Sequence, residues 1–268
     1  MSQAIVRLYR TAENYRRYTM ADAERERVLA TLYRVERRFF GRRVLDMACG
    51  GGVLGFILEP LGHTYLGVDI NPDMIRNATK AAALLGSHNR FLEGDAVNLR
   101  VPGRFDTLTL LGNALGHLSA IEFAELLASR RANVHVGSHF VIDYRDTVSM
   151  FYQGLWKRCL VETRKRGRVV HRTRAVDTVS GLIHMQAKKA GDWTINFTQS
   201  IWSPFIVSTI MADHGWVRVR QRQTHSGECL VEVYRYQGAE QRQSGSGKKR
   251  HGNDSSWGLE RSKLKASG

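Results

Sequence analysis

Residues 22–40 read DAERERVLATLYRVERRFF, with Val28, Leu32, Val35 and Phe39 at helical spacing, which predicts an amphipathic helix leading into the core. A first strand is expected at Arg43–Ala48, then a glycine loop and a short helix, Val53–Leu58, stopped by Pro60 and Gly62. The second strand, Thr64–Asp69, runs into Asn71-Pro72-Asp73, a cap, a proline at the first helical position and an early acid. These open a helix that reaches Leu85 and stops at Gly86. A short third strand, Arg90–Glu93, precedes a turn at Pro102-Gly103 and a fourth strand, Phe105–Leu110. Ser119 and Glu122 form a capping box for a helix through Ala128, and His139–Tyr144 is the fifth strand. Strands separated by helices in this rhythm predict an α/β chain, a parallel sheet wrapped on both faces.

After the fifth strand the rhythm changes. Two or three antiparallel strands are expected at Arg168–Asp177, Leu182–Lys188 and Trp193–Ile201, joined at Ser180-Gly181 and Ala190-Gly191-Asp192. Ser203-Pro204 starts another helix that ends near Gly215, and two final strands, Trp216–Gln221 and Leu230–Tyr236, predict an antiparallel hairpin at the sheet edge. The chain therefore divides into an N-terminal helical segment, 1–40; a main domain from 41–146 and 203–237; an antiparallel lid, 147–202; and a tail, 238–268. With 268 residues, 43% of them hydrophobic, there is enough chain for a sizeable core.

Charge adds a second possibility to this picture. Forty Lys and Arg against 25 Asp and Glu give +15, which invites a nucleic-acid partner. From Glu240 onward seven basic residues face three acidic ones, so +4 of the excess lies in a Gly/Ser/Lys/Arg-rich tail expected to be disordered. The denser stretch, Lys157–Arg174, reads first as a solvated strand face and second as a polyanion patch. No apolar run approaches the roughly 20 residues of a membrane span. The N-terminus, broken by arginines, lacks an apolar secretory core, so a cytoplasmic location is expected. Cys49, Cys159 and Cys229 are odd in number and widely spaced, which argues against a disulfide framework or a structural zinc.

VLDMACGGGVLG contains the spacing Gly50-x-Gly52-x-x-Gly55, which alone would suggest a dinucleotide. In an open parallel sheet, ligands sit beyond the carboxyl ends of the strands, and four of those ends carry Asp46, Asp69, Asp95 and Asn113. Asp69 does not discriminate, because dinucleotide sites also use an acid about 20 residues on. Asp46 does: a carboxylate just before the glycine loop disfavours an anion and favours a cation. A sulfonium with an ammonium, a ribose diol and an adenine amine would satisfy all three acids.

These residues resemble the class I S-adenosylmethionine-dependent methyltransferases. The match runs from 44 to 144 through VLDMACGGG, YLGVDINPDMI, FLEGDA and FDTLTLLGNALGHL, in order and at the right spacing. More narrowly, DMACG, GNALGHL and VIDYRD look like glycine N-methyltransferase and its sarcosine and dimethylglycine relatives, which also carry an antiparallel lid after the fifth strand. The resemblance implies a Rossmann-like, seven-stranded, mostly parallel sheet with a C-terminal antiparallel hairpin, and S-adenosyl-L-methionine as cofactor. It implies that Gly50 and Gly52 let the backbone approach the cofactor beside Asp46 and Ala48, that Asp69 accepts from both ribose hydroxyls, and that Asp95 or the Ala96 amide meets adenine. Ile70, Met74 and Leu111 complete the cofactor set. Asn113 borders the methyl group, and Arg145 would clamp a substrate carboxylate. The glycine enzymes continue Arg-Asn-Tyr-Asp, whereas here Arg145 is followed by Asp146, placed to neutralise it.

His117 is read either as a general base or as a structural histidine entering a helix. Tyr15 and Tyr18 either fold over a cation or pack the first helix. Cys49 is read as a small buried residue, and Trp156, Trp193 and Trp202 as lid core. Neither the [DN]PP[YF] phrase of exocyclic-amine methylation nor a paired-carboxylate metal site is present; Leu111-Gly112-Asn113-Ala114 stands at that strand end. The absences favour a small-molecule acceptor, most simply an amine nitrogen, over RNA or protein, with a dinucleotide-dependent oxidoreductase or a non-catalytic nucleotide-binding module as the third reading. The sequence leaves homo-oligomerisation open.

Overall fold

The computed structural model describes residues 22–155, 160–164, 167–189, 191, 193–224 and 229–238. Tyr15, Tyr18, Trp156, Cys159 and the basic tail lie outside the described residues. Five strands, β1 (Arg43–Met47), β2 (Thr64–Asp69), β3 (Arg90–Glu93), β4 (Thr107–Leu110) and β5 (His139–Tyr144), alternate with helices α1 (Asp22–Glu36), α2 (Val53–Leu58), α3 (Pro72–Leu85) and α4 (Ala120–Arg130). A short α5 (Thr147–Tyr152) then leads to β6 (Leu160–Arg164), β7 (Gly167–Asp177), β8 (Leu182–Lys189) and β9 (Trp193–Ser200). The chain returns through α6 (Pro204–Asp213) to β10 (Trp216–Gln223) and β11 (Leu230–Tyr236).

The main sheet has seven strands in the order β10-β11-β5-β4-β1-β2-β3. All neighbours run parallel except β5–β11 and β10–β11, which are antiparallel. The order reverses between β1 and β4, so the loops leaving these two strands diverge and open a crevice at their carboxyl ends. The lid is a separate four-stranded antiparallel sheet, β6-β7-β8-β9, one strand more than the pattern predicts. The strand missed is β6; it lies in the arginine- and lysine-rich stretch, where alternation is too weak to signal pairing.

Local signals explain the helix ends. The Asn71 side chain accepts from the amides of Asp73 (2.9 Å) and Met74 (3.3 Å), and Ser119 and Glu122 form the reciprocal capping box. Asp146 caps α5, its Oδ1 accepting from the Ser149 amide at 3.0 Å.

The core lies on both faces of the sheet. Leu45, Met47, Leu108, Leu110, Phe140 and Ile142 pack against Phe123 and Leu126 of α4 and Val207 and Met211 of α6. On the other face Val44, Tyr65, Val141, Val231 and Val233 meet Leu29 and Leu32 of α1 and Leu54 and Leu58 of α2. Of the stripe expected on the leading helix, Leu32 and Phe39 are buried, but Val28 and Val35 are 41% and 44% exposed, while Leu29 and Glu36 turn inward. Glu36 is buried because Arg222 donates to its Oε1 and Arg220 lies 3.6 Å from its Oε2. A second buried acid, Glu232, accepts from Tyr144 (2.9 Å), Tyr234 (2.7 Å) and Arg218 (2.9 Å). Trp202 belongs to the main core and not to the lid: it stands edge-on to Phe123, with Nε1 donating to the Leu118 carbonyl at 3.3 Å.

Among the described residues no helix is long and apolar enough to cross a membrane, and no group of three His, Cys, Asp or Glu side chains is placed to hold a metal ion. Cys49 is a buried free thiol and Cys229 a half-buried one.

Candidate functional site

β1 ends at Met47, and the chain turns at once through Ala48 (φ 62°), Gly50 (φ 56°) and Gly52 (φ 73°). Ala48 holds a left-handed conformation that L side chains rarely adopt, a mark of a backbone forced into place by its surroundings. Gly52 is required twice over. Its positive φ suits glycine, and a β-carbon there would lie 2.2 Å from the Phe91 ring.

Two carboxylates hold this turn from different sides. Asp46 faces the α1–α2 layer, where Tyr65 Oη donates to its Oδ2 at 2.7 Å and Thr109 Oγ1 to its Oδ1 at 2.6 Å, which ties β1 to both neighbouring strands. Burial still pushes its carboxyl up to about 6, against those bonds and the charge of Arg25. Asp69, at the end of β2, accepts from the Gly50 amide at 2.7 Å and from the Asn71 amide at 2.9 Å. Burial raises its carboxyl as well. Each Asp69 oxygen keeps a second lone pair, so a vicinal diol can still donate to it. Neither acid caps a helix; Asn71 does that work.

Asp95 lies half-exposed beyond β3, its Oδ1 accepting from the Val97 amide at 3.0 Å in a tight turn that leaves Oδ2 and the Ala96 amide available. Ile70 is half-buried beside Asp69. Met74 and Leu111 are 5% and 3% exposed, so they support the crevice wall.

The corner after β4 is held by groups that the motifs do not name. Gly112 and Asn113 both have positive φ, 81° and 58°. The Asn113 amide donates to Asp143 Oδ1 at 2.7 Å, and the Asn113 Oδ1 accepts from the Arg145 amide at 3.1 Å. Asp143 is raised by burial, with the Asn113 and Gly112 amides and the charges of Arg25 and Arg145 pulling the other way. Arg25 reaches this corner from α1, where a β-carbon on Gly112 would meet its Nη1 at 2.8 Å. It lowers the carboxyls of Asp46, Asp69 and Asp143 alike. The crevice is therefore not a bare cluster of acids: Arg25 stands among all three carboxylates and Arg145 acts on Asp143 as well.

His117 ends the 3-10 turn Ala114–His117 beside this corner, and burial pushes its imidazole down to about 4. It is neutral near pH 7 and a weak proton acceptor, which counts against its taking a proton from an ammonium. The structure thus brings Asp46, Ala48, Gly50, Gly52, Asp69, Ile70, Asp95, Ala96, Asn113, His117 and Arg145 to the carboxyl ends of β1 to β5; Tyr18 lies outside the described residues. Sequence reading misses Asp143 and Arg25. VIDYRD offers three charged residues within four positions, and nothing in α1 marks one arginine out of three.

Residues 44–135 match the family model described as a methyltransferase domain. The chain is 30% identical over 86 residues to a mitochondrial ubiquinone biosynthesis O-methyltransferase of Schizosaccharomyces pombe, covering 31% of this chain and 31% of that one. It is 32% identical over 104 residues to a demethylmenaquinone methyltransferase of Thermus thermophilus, covering 38% of this chain and 46% of the relative. The chain thus spans about a third to a half of the length of these curated relatives. Among solved structures, the CcbJ methyltransferase of Streptomyces caelestis superposes with a TM-score of 0.66 at 17% identity, over 86% of this chain and 98% of that one. The likeness establishes the fold.

Proposed function

We propose that this chain is an S-adenosylmethionine-dependent methyltransferase acting on a small-molecule acceptor, with an amine nitrogen as the atom methylated. The observation that carries the reading is the placement of Asp46 and Asp69 on one glycine turn at the point where the strand order reverses, within the span that matches a methyltransferase domain. A pyrophosphate would meet those carboxylates at close range, whereas a sulfonium and an ammonium relieve them. A sugar N-methyltransferase of Streptoalloteichus and an amino pentose methyltransferase of Micromonospora echinaspora share the fold, the second at 17% identity and a TM-score of 0.60, solved with SAM bound.

The donor set fits the cofactor. Asp69, with its two remaining lone pairs, would take the ribose hydroxyls; Asp95 and the Ala96 amide would take the adenine edge; the Gly50–Gly52 turn lets the tail lie against backbone. When bound, S-adenosylmethionine supplies a methyl already activated by sulfonium. The chain's own task is then to align a nucleophile, and orientation of this kind can be worth roughly 7–11 kcal/mol. Asn113 borders that position. Arg145 would be the group to meet an acceptor carboxylate, as in the glycine N-methyltransferases. An ammonium acceptor would react through its free-base fraction, its proton passed to bulk buffer, because His117, pushed down to about 4, does not retain a proton near pH 7.

Calorimetry with S-adenosylhomocysteine against NAD tests the cofactor, and transfer of labelled methyl to pooled small metabolites beside total RNA tests the acceptor. Binding of NAD without S-adenosylhomocysteine would overturn the reading. Loss of transfer to a carboxylate-bearing acceptor in Arg145→Ala, with other acceptors untouched, supports the clamp.

A further inference from the structure

The Gly112–Asn113 corner is fixed by two hydrogen bonds that run in opposite directions between strand ends. Asp143 of β5 accepts from the Asn113 amide at 2.7 Å, and Asn113 accepts through its side chain from the Arg145 amide at 3.1 Å. Beneath them β4 and β5 are paired in parallel, Leu110 with Ile142. One side chain from each strand thus grips the main chain of the other just past the last rung of the ladder. The corner needs such a grip, because two consecutive residues there hold positive φ and one of them is not glycine. A carboxylate suits the lower position: it accepts without offering a competing donor and receives both the Asn113 and the Gly112 amides.

We propose that Asp143 is a positioning residue for methyl transfer. It holds the Gly112–Asn113 corner in the geometry that places Asn113 beside the reacting methyl, and Asn113 returns the restraint by locking the β5 end that carries Arg145. The acceptor side of the crevice is therefore set by a reciprocal clasp, while the cofactor side is set separately by the Asp69–Gly50 bond. This rests on the methyltransferase reading.

Separation of the two sides gives the test, done on the full chain. S-adenosylhomocysteine affinity is measured by calorimetry, labelled-methyl transfer to pooled small metabolites at saturating cofactor, and exchange of the Gly112 and Asn113 amides by NMR. Asp143→Ala is expected to change the affinity by less than about 3-fold, to slow transfer by about 10-fold or more, and to speed exchange at both amides. Asp143→Asn, which keeps one acceptor oxygen, recovers most of the rate. Near wild-type transfer in Asp143→Ala, or parallel losses of affinity and rate, overturns the proposal. Should Asp143→Ala not fold, Asn113→Gly decides: it tolerates the positive φ but lacks the oxygen for Arg145, so slowed transfer with retained affinity supports the clasp and unchanged transfer overturns it. Wild type that binds no S-adenosylhomocysteine would instead remove the methyltransferase reading, a failure visible before any variant is made.

Discussion

Asp46 carries opposite demands at the scale of one residue. Its carboxyl is raised to about 6, so the folded chain binds that proton more readily than the unfolded chain does. The associated stability is complete below the ordinary aspartate range and is lost as pH rises through about 6. Relative to Asp46→Asn, wild type should lose about 1–3 kcal/mol of unfolding free energy between pH 4 and pH 7, as urea titrations would show. The same variant should bind S-adenosylhomocysteine more weakly, since the crevice loses a charge. Asp69→Ala removes both the diol acceptor and the bond that pins Gly50, and we expect at least a 10-fold loss of S-adenosylhomocysteine affinity by calorimetry. His117→Gln should lower transfer by less than about 10-fold, with no change in the pH profile between 6 and 9, because the imidazole is already neutral there. The glycine turn, Asp46 and Asp69 are legible in the sequence because their meaning is local, a strand end followed by residues that permit positive φ. Asp143 and Arg25 are not, because their partners lie tens of residues away and only the sheet order brings them together.

At the scale of elements, α1 is joined to the far edge of the sheet by Glu36, whose carboxylate is buried against Arg222 and Arg220 of β10. The helical spacing correctly announces a helix there and places Leu32 inward, but assigns Val28 and Val35 to the inner face, where Leu29 and Glu36 in fact point. A periodicity count treats glutamate as polar and therefore outward, and cannot anticipate two arginines arriving from residues nearly two hundred positions on. Glu36→Gln leaves those arginines facing a neutral group, and a loss of about 2–4 kcal/mol in chemical unfolding is expected. S-adenosylhomocysteine affinity of the folded fraction should change little. The capped helices, α3 and α4, were readable almost to the residue, since proline, asparagine and the Ser119–Glu122 box act within one turn. The lid was readable as antiparallel strands, though β6 and the short α5 were not: one is masked by charge, the other begins with an aspartate that the motif comparison set against Arg145.

For the whole molecule, the reversal of strand order between β1 and β4 fixes where a ligand can enter, and the lid follows directly from β5 at that same end. The +15 charge bears on the acceptor. With a small-molecule acceptor, total RNA should be retained only weakly and its retention should vanish by about 0.2 M salt, whereas a steep salt slope that survives removal of residues 238–268 would favour RNA. One of the two edge strands of the main sheet, β10, has its own consequence. Its register slips between Arg218 and Arg220, and its arginines are drawn inward to Glu232 and Glu36. A rim that is kinked midway and studded with anchored guanidinium groups is a poor template for a visiting strand. Ribbon growth from this rim of one molecule to the next is therefore disfavoured at its starting point.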